Sequence, residues 1–164
     1  MKGEDMGKAL RVYVDTSVFG GALDREFAAG SQAFFSNVRR GALRMTVSAL
    51  VENELQRAPA AVRRLFDDLE PLVTRVDISE AAYFLQQSYL AAGIVSAQRE
   101  TDALHVATAT ASGCEAIVSW NFKHIVNFRR ISLYNEVNRM EGYGPIAIHT
   151  PMEVIFDEED EESL

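Results

Sequence analysis

Five short apolar runs, residues 10–14, 43–47, 72–76, 116–119 and 146–148, are set apart by segments whose apolar residues recur at three- and four-residue steps. The runs are too short for helices and suit strands, while the three-and-four spacing puts side chains on one helical face. Strands separated by helices cannot pair as tight hairpins. Each must return by a crossover, and crossovers produce a mainly parallel sheet with helices against it. The expected fold class is therefore α/β, with a mainly parallel five-stranded sheet flanked by helices.

Local punctuation supports the alternation. Ser31 is an N-cap candidate for a helix that Gly41 stops, and Ser48 for one that must end by Pro59. A helix over 60–69 closes at Glu70-Pro71. Ser79 opens a helix that Gly93 terminates, and Thr101 opens one that Gly113 terminates. Asn127 begins a polar helical segment, and Pro151 stands at the start of a last short one. At 164 residues the chain suits one domain with a single core, expected over 9–156. Residues 157–164 form an acidic tail whose run Asp157–Glu162 repels itself and is expected to be disordered.

That tail changes the reading of the charge. The formal net charge is −8, which argues against nucleic acid as a partner, but without the six acids of 157–162 the rest carries only −2. Cations cluster at Arg39, Arg40 and Arg44, at Arg57, Arg63 and Arg64, and at Lys123, Arg129 and Arg130. Such clusters either touch a phosphate backbone or are solvated helix faces. No apolar run approaches the ~20 residues of a membrane span, and the N-terminus lacks a secretory pattern, so a cytoplasmic location without membrane contact is expected. The single Cys114 has no partner for a disulfide and reads as a small buried hydrophobe.

The chemistry gathers where apolar runs stop. Leu10, Val12 and Val14 end at Asp15, and Thr16 and Ser17 follow. In an open α/β sheet, ligands bind beyond the carboxyl ends of the strands, so an acid there faces a cleft unless it merely caps the next turn. Glu54 lies beside the core-facing Val51 and Leu55 of the helix after the second run, either at its edge or facing a cleft. Asp102 is in the first turn of a helix, where it also complements the dipole. Asn121 follows the fourth run. His105, three residues from Asp102, reads as packing or as a supporting hydrogen bond; His124 is placed to touch substrate, and His149 reads as a turn residue. Trp120 and Phe122 either pack the loop or stack on unpaired bases. No glycine-rich nucleotide loop is present.

The motifs VYVDTSVFGG, SALVENEL, TDALHVATA and IVSWNFKHI, in this order across most of residues 11–125, resemble those of the PIN-domain family, whose bacterial members include VapC-like toxins of toxin–antitoxin pairs. The resemblance implies a three-layer domain with sheet order 3-2-1-4-5 and a metal-dependent ribonuclease site at the strand ends. Its acids fall on Asp15, Glu54 and Asp102, the implied metal ligands. Its fourth acidic position falls on Asn121, which leaves three carboxylates in place of four. Thr16 or Ser17 resembles the family's orienting hydroxyl.

Three converging carboxylates repel, and a hard divalent ion with oxygen ligands relieves this, so Mg²⁺ or Mn²⁺ is the expected cofactor. The leading expectation is an endoribonuclease acting on single-stranded or loop RNA; the alternative is a catalytically weakened PIN-fold module that binds RNA or protein. The resemblance further implies a cognate antitoxin and a homodimer. Phe34, Phe35, Leu65 and Phe66 are apolar positions that could serve a dimer surface or the core.

Overall fold

The computed structural model describes residues 9–154. Its five strands are β1 (Leu10–Val14), β2 (Leu43–Ser48), β3 (Val73–Val76), β4 (Ala116–Val118) and β5 (Ala147–His149), all parallel and ordered β3-β2-β1-β4-β5. The chain winds from β1 outward to β3, then returns to the other side of β1 with β4. That reversal lies between β1 and β4, where Tyr13 pairs with Ile117 and Val14 with Val118. A central parallel strand is covered on both faces, which is why Val12, Tyr13 and Val14 are all fully buried and no in–out alternation survives in β1.

Seven α-helices connect the strands among the described residues: α1 (Thr16–Gly21), α2 (Ala28–Arg39), α3 (Ala49–Leu55), α4 (Ala60–Leu69), α5 (Glu80–Ala91), α6 (Glu100–Ala111) and α7 (Phe128–Met140). Helix α1 packs against α2, α3 and α4, while α5 packs against α6 and α7. Two caps are read correctly from the chain. Ser79 accepts a hydrogen bond from the Ala82 N–H, and the Asn127 side chain accepts from the N–H groups of Arg129 and Arg130.

Other boundaries differ for identifiable reasons. Ser31 lies inside α2, because its hydroxyl donates to the Val18 carbonyl at 2.7 Å and so ties α2 to α1. Thr101 is likewise helical: a 3₁₀ turn over Ala97–Arg99 runs directly into α6 at Glu100. Ser48 occupies the N-cap of α3, yet its hydroxyl is engaged with Tyr13. Pro59 precedes α4 as its N-cap. Phe34, Phe35 and Phe66 are buried in the core, so they offer no dimer surface; Leu65 is partly buried against the same core. The acidic run 157–162 lies outside the described residues.

Candidate functional site

Asp15 ends β1 and takes the N-cap position of α1 in extended conformation, but its carboxylate makes no cap hydrogen bond. It turns instead toward β4. Oδ2 accepts from Ser17 Oγ at 2.8 Å and from Ser119 Oγ at 2.7 Å, and Oδ1 lies 3.3 Å from His105 Nε2. The residue is only 6% exposed, so these partners are what allow a carboxylate to remain there. Ser119 Oγ also accepts from the Asn121 N–H at 2.9 Å, and Ser17 Oγ from the Trp120 N–H at 2.9 Å, which fixes the exit of β4 to the exit of β1.

Glu54, near the end of α3, brings Oε1 within 2.9 Å of Thr16 Oγ1 and 2.7 Å of His105 Nε2. Carboxylates only accept, so Nε2 carries the hydrogen that faces both acids. The other ring nitrogen, Nδ1, is 2.9 Å from the Tyr13 hydroxyl, which in turn is 2.8 Å from Ser48 Oγ. His105 is 1% exposed and thus held from both ends. The expectation of a supporting hydrogen bond holds for His105. Its central position between two acids was not visible in the sequence, because Tyr13, Ser48 and Glu54 meet it only through the fold.

Asp102 sits half-buried in the first turn of α6. Burial and the charge of Asp15 raise its pKa, against the opposing effects of His124, of a hydrogen bond with the Asn121 side chain and of His105. Asn121 therefore joins the acid group from the β4 side, and its Oδ1 also accepts from the His124 N–H at 3.0 Å. For Glu54, burial acts upward, but the hydrogen bonds from His105 and Thr16 and the His105 charge hold its pKa below the usual value. For His105, burial acts downward, yet Asp15, Glu54 and Asp102 together raise it. The site is thus a nest of acids around one imidazole.

The fold brings all six anticipated residues to the ends of β1 and β4 and to the helices beside them. Among the described residues, the cluster whose possible metal-donor atoms lie within 4.8 Å of one another is Asp15, Glu54 and His105. Asp102 is not in that cluster, although its charge reaches His105. Two carboxylate oxygens and, when Nε2 is unprotonated, an imidazole nitrogen could hold a divalent ion, and Asp102 supplies further negative charge. A cleft of about 440 Å³, lined by Leu50, Asn53, Glu54, Arg57 and Thr101, opens beside Glu54. The site consequently has an approach for a ligand.

No protein-family model matches the sequence, and no curated protein is similar enough in sequence to count as a relative. Solved structures do match in shape. VapBC2 from Rickettsia felis, crystallised bound to a DNA fragment from its promoter, superposes with a TM-score of 0.57 at 14% identity, over 86% of this chain and 98% of that one. FitAcB from Neisseria gonorrhoeae gives 0.56 at 16% identity, over 87% and 99%. These likenesses, together with the sheet order, make the fold PIN-like.

Proposed function

We propose that the chain is a divalent-metal-dependent endoribonuclease of the VapC-like toxin kind, hydrolysing phosphodiester bonds in single-stranded or loop RNA. One observation carries the reading: Asp15, Glu54 and His105 converge within 4.8 Å at the reversal of winding, with Asp102 and Asn121 beside them. That crevice is where open α/β sheets place their ligands. Asp15, Glu54 and Asp102 are the proposed metal ligands, Mg²⁺ or Mn²⁺ being the ion; His105 is a further donor when its Nε2 is unprotonated.

A bound divalent ion supplies Lewis acidity toward a phosphodiester and toward water at neutral pH. The protein's own groups prepare for it. Ser17 and Ser119 hold one oxygen of Asp15, and Thr16 and His105 hold one oxygen of Glu54, so both carboxylates are oriented in advance. Asp102, whose pKa burial and Asp15 raise, would be favoured in its ionised form by a nearby cation. Hydrolysis adds water to phosphorus and breaks one P–O bond, the departing oxygen taking a proton.

Cleavage of a labelled RNA pool in Mn²⁺ and in EDTA tests the reading. We expect activity in Mn²⁺, none in EDTA, and a loss of at least ~100-fold in Asp15→Asn; equal rates in both buffers, or full activity of that variant, would refute it. The second reading, a PIN-fold binding module with weakened catalysis, is favoured by Asn121 at the fourth acidic position. A cognate antitoxin and a homodimer belong to the first reading, and the domain is proposed to extend over 9–156.

A further inference from the structure

The segment that leaves β4 mixes aromatic and cationic residues: Trp120, Phe122, Lys123, Phe128 and Arg130. The structure assigns the aromatics different places. Trp120 is 8% exposed, stacks on Phe27 with ring centroids 4.5 Å apart, and donates its indole N–H to Ser31 Oγ at 2.9 Å. It is core. Phe122 rests against that stack, 6.3 Å from Trp120 and 6.2 Å from Phe27, yet is 48% exposed. Phe128, the first residue of α7, is 92% exposed.

The backbone that carries these rings is already fixed. The Asn121 carbonyl accepts from the N–H groups of Ile125 and Val126, at 3.2 and 2.8 Å, and Asn127 Nδ2 donates to the Phe122 carbonyl at 3.3 Å. Ile125 is fully buried beneath them. Cations share this segment. Arg99 at the start of α6, with Lys123 and Arg130, imposes a positive field on His124, which also feels Asp102. Arg130 is pinned by Nε donating to the Ile94 carbonyl at 3.1 Å. His124 therefore lies within electrostatic reach of both these cations and Asp102.

We propose that this segment between β4 and α7 is a preformed platform for single-stranded RNA, with bases stacking on Phe122 and Phe128 and phosphates passing over Arg99, Lys123 and Arg130. Its role in guiding a strand to the acids rests on the ribonuclease reading; binding itself needs no metal. Charge complementarity selects the occupant. Lys123 and Arg130 lie in the same short segment as the two exposed rings, and a nucleic acid strand offers bases and phosphates in alternation to match them. A duplex fits less well, because its base faces are already stacked.

The test is the affinity of a fluorescent single-stranded RNA of about ten nucleotides, in EDTA over a salt series, measured alongside calorimetric Mn²⁺ titration. Phe122→Ala and Phe128→Ala are expected to weaken binding by roughly 5- to 100-fold each without changing the salt slope. Lys123→Ala and Arg99→Ala are expected to flatten the slope of log K against log salt by about 0.7 each. Phe128 is so exposed that its removal leaves folding intact. Retained RNA affinity in both Phe variants overturns the proposal and leaves the rings to a protein partner; so does a duplex bound as tightly as the single strand. Intact Mn²⁺ binding with such RNA results means that the platform fails alone. Ring-dependent RNA binding without Mn²⁺ binding means that the ribonuclease reading fails while the platform stands.

Discussion

His105 donates through Nε2 to Glu54 Oε1 across 2.7 Å, joining a buried side chain of α6 to one at the end of α3. The same nitrogen lies 3.3 Å from Asp15 at the end of β1. One imidazole thus fastens three elements that approach each other only through the sheet. Burial lowers its pKa, but Asp15, Glu54 and Asp102 raise it, so the crowded acids favour its protonated form. A protonated imidazole among them makes the group less repulsive than carboxylates alone would be.

Replacing that link should be costly. In His105→Ala, Asp15 and Glu54 face each other without their common donor, and the Tyr13 hydroxyl loses a partner. We expect a loss of about 3 kcal/mol in urea unfolding with EDTA present, the low end for a broken buried pair because Ser17 and Ser119 still hold Asp15. Added Mn²⁺ should restore part of it. A loss below about 1 kcal/mol would show that the contact contributes little.

The metal-free protein should lose stability as pH rises above neutral. His105 has a folded pKa raised above its reference of 6.5, so its contribution is fully present below about pH 6.5 and is lost as pH climbs through the folded value. Asp102, also raised, acts with the same sign, its contribution being present below 3.8 and lost above its folded pKa. Glu54 is lowered from 4.5, so its stabilisation is present above that pH and fades as pH falls through the folded value. The melting midpoint in EDTA should therefore decline from pH 6.5 to 8.5, and less so in His105→Ala. A midpoint rising over that range would contradict the assignment.

Much of this arrangement follows from short-range pattern. The buried runs, the Ser79 and Asn127 caps and the position of Asp15 are each decided within a few residues of chain, so the sequence exposes them. The sheet order was reached only through the resemblance of four motifs, since local pattern does not determine which strands become neighbours. Helix α1 escaped notice because TSVFGG is six residues with a glycine pair and reads as a turn. The bond from Ser119 to Asp15 and the central place of His105, legible in the sequence only as packing or a supporting hydrogen bond, are hidden for another reason. The partners of these two residues lie up to 104 residues away in the chain, and neither sits in a spacing that signals a site.

Asn121→Asp should act in opposite directions with and without metal. The amide side chain of Asn121 helps to hold down the pKa of Asp102, while its Oδ1 receives the His124 N–H. An aspartate preserves the second contact and turns the first into repulsion. In EDTA the variant should be less stable by about 1 kcal/mol; with Mn²⁺ the added carboxylate should raise affinity by roughly tenfold. Calorimetric titration reads the gain directly. Unchanged Mn²⁺ affinity would place position 121 outside the metal's reach.

Two adjacent glycines should respond differently, although both lie in α1. A Cβ on Gly20 would meet nothing within 4 Å, so Gly20→Ala should stabilise by about 0.5–1 kcal/mol through helix propensity. A Cβ on Gly21 would lie 2.6 Å from Trp120 Nε1 and 2.9 Å from Ser31 Oγ, a clash with the very bond that seats Trp120 against α2. Gly21→Ala should therefore destabilise by about 1–3 kcal/mol, since overpacking moves the indole off its partner. Because Phe122 rests on Trp120 and Phe27, the same variant should also weaken single-stranded RNA binding while sparing the salt slope. Thermal melts of both variants and one binding titration suffice, and a Gly21→Ala protein as stable as wild type would show that Trp120 has room to move.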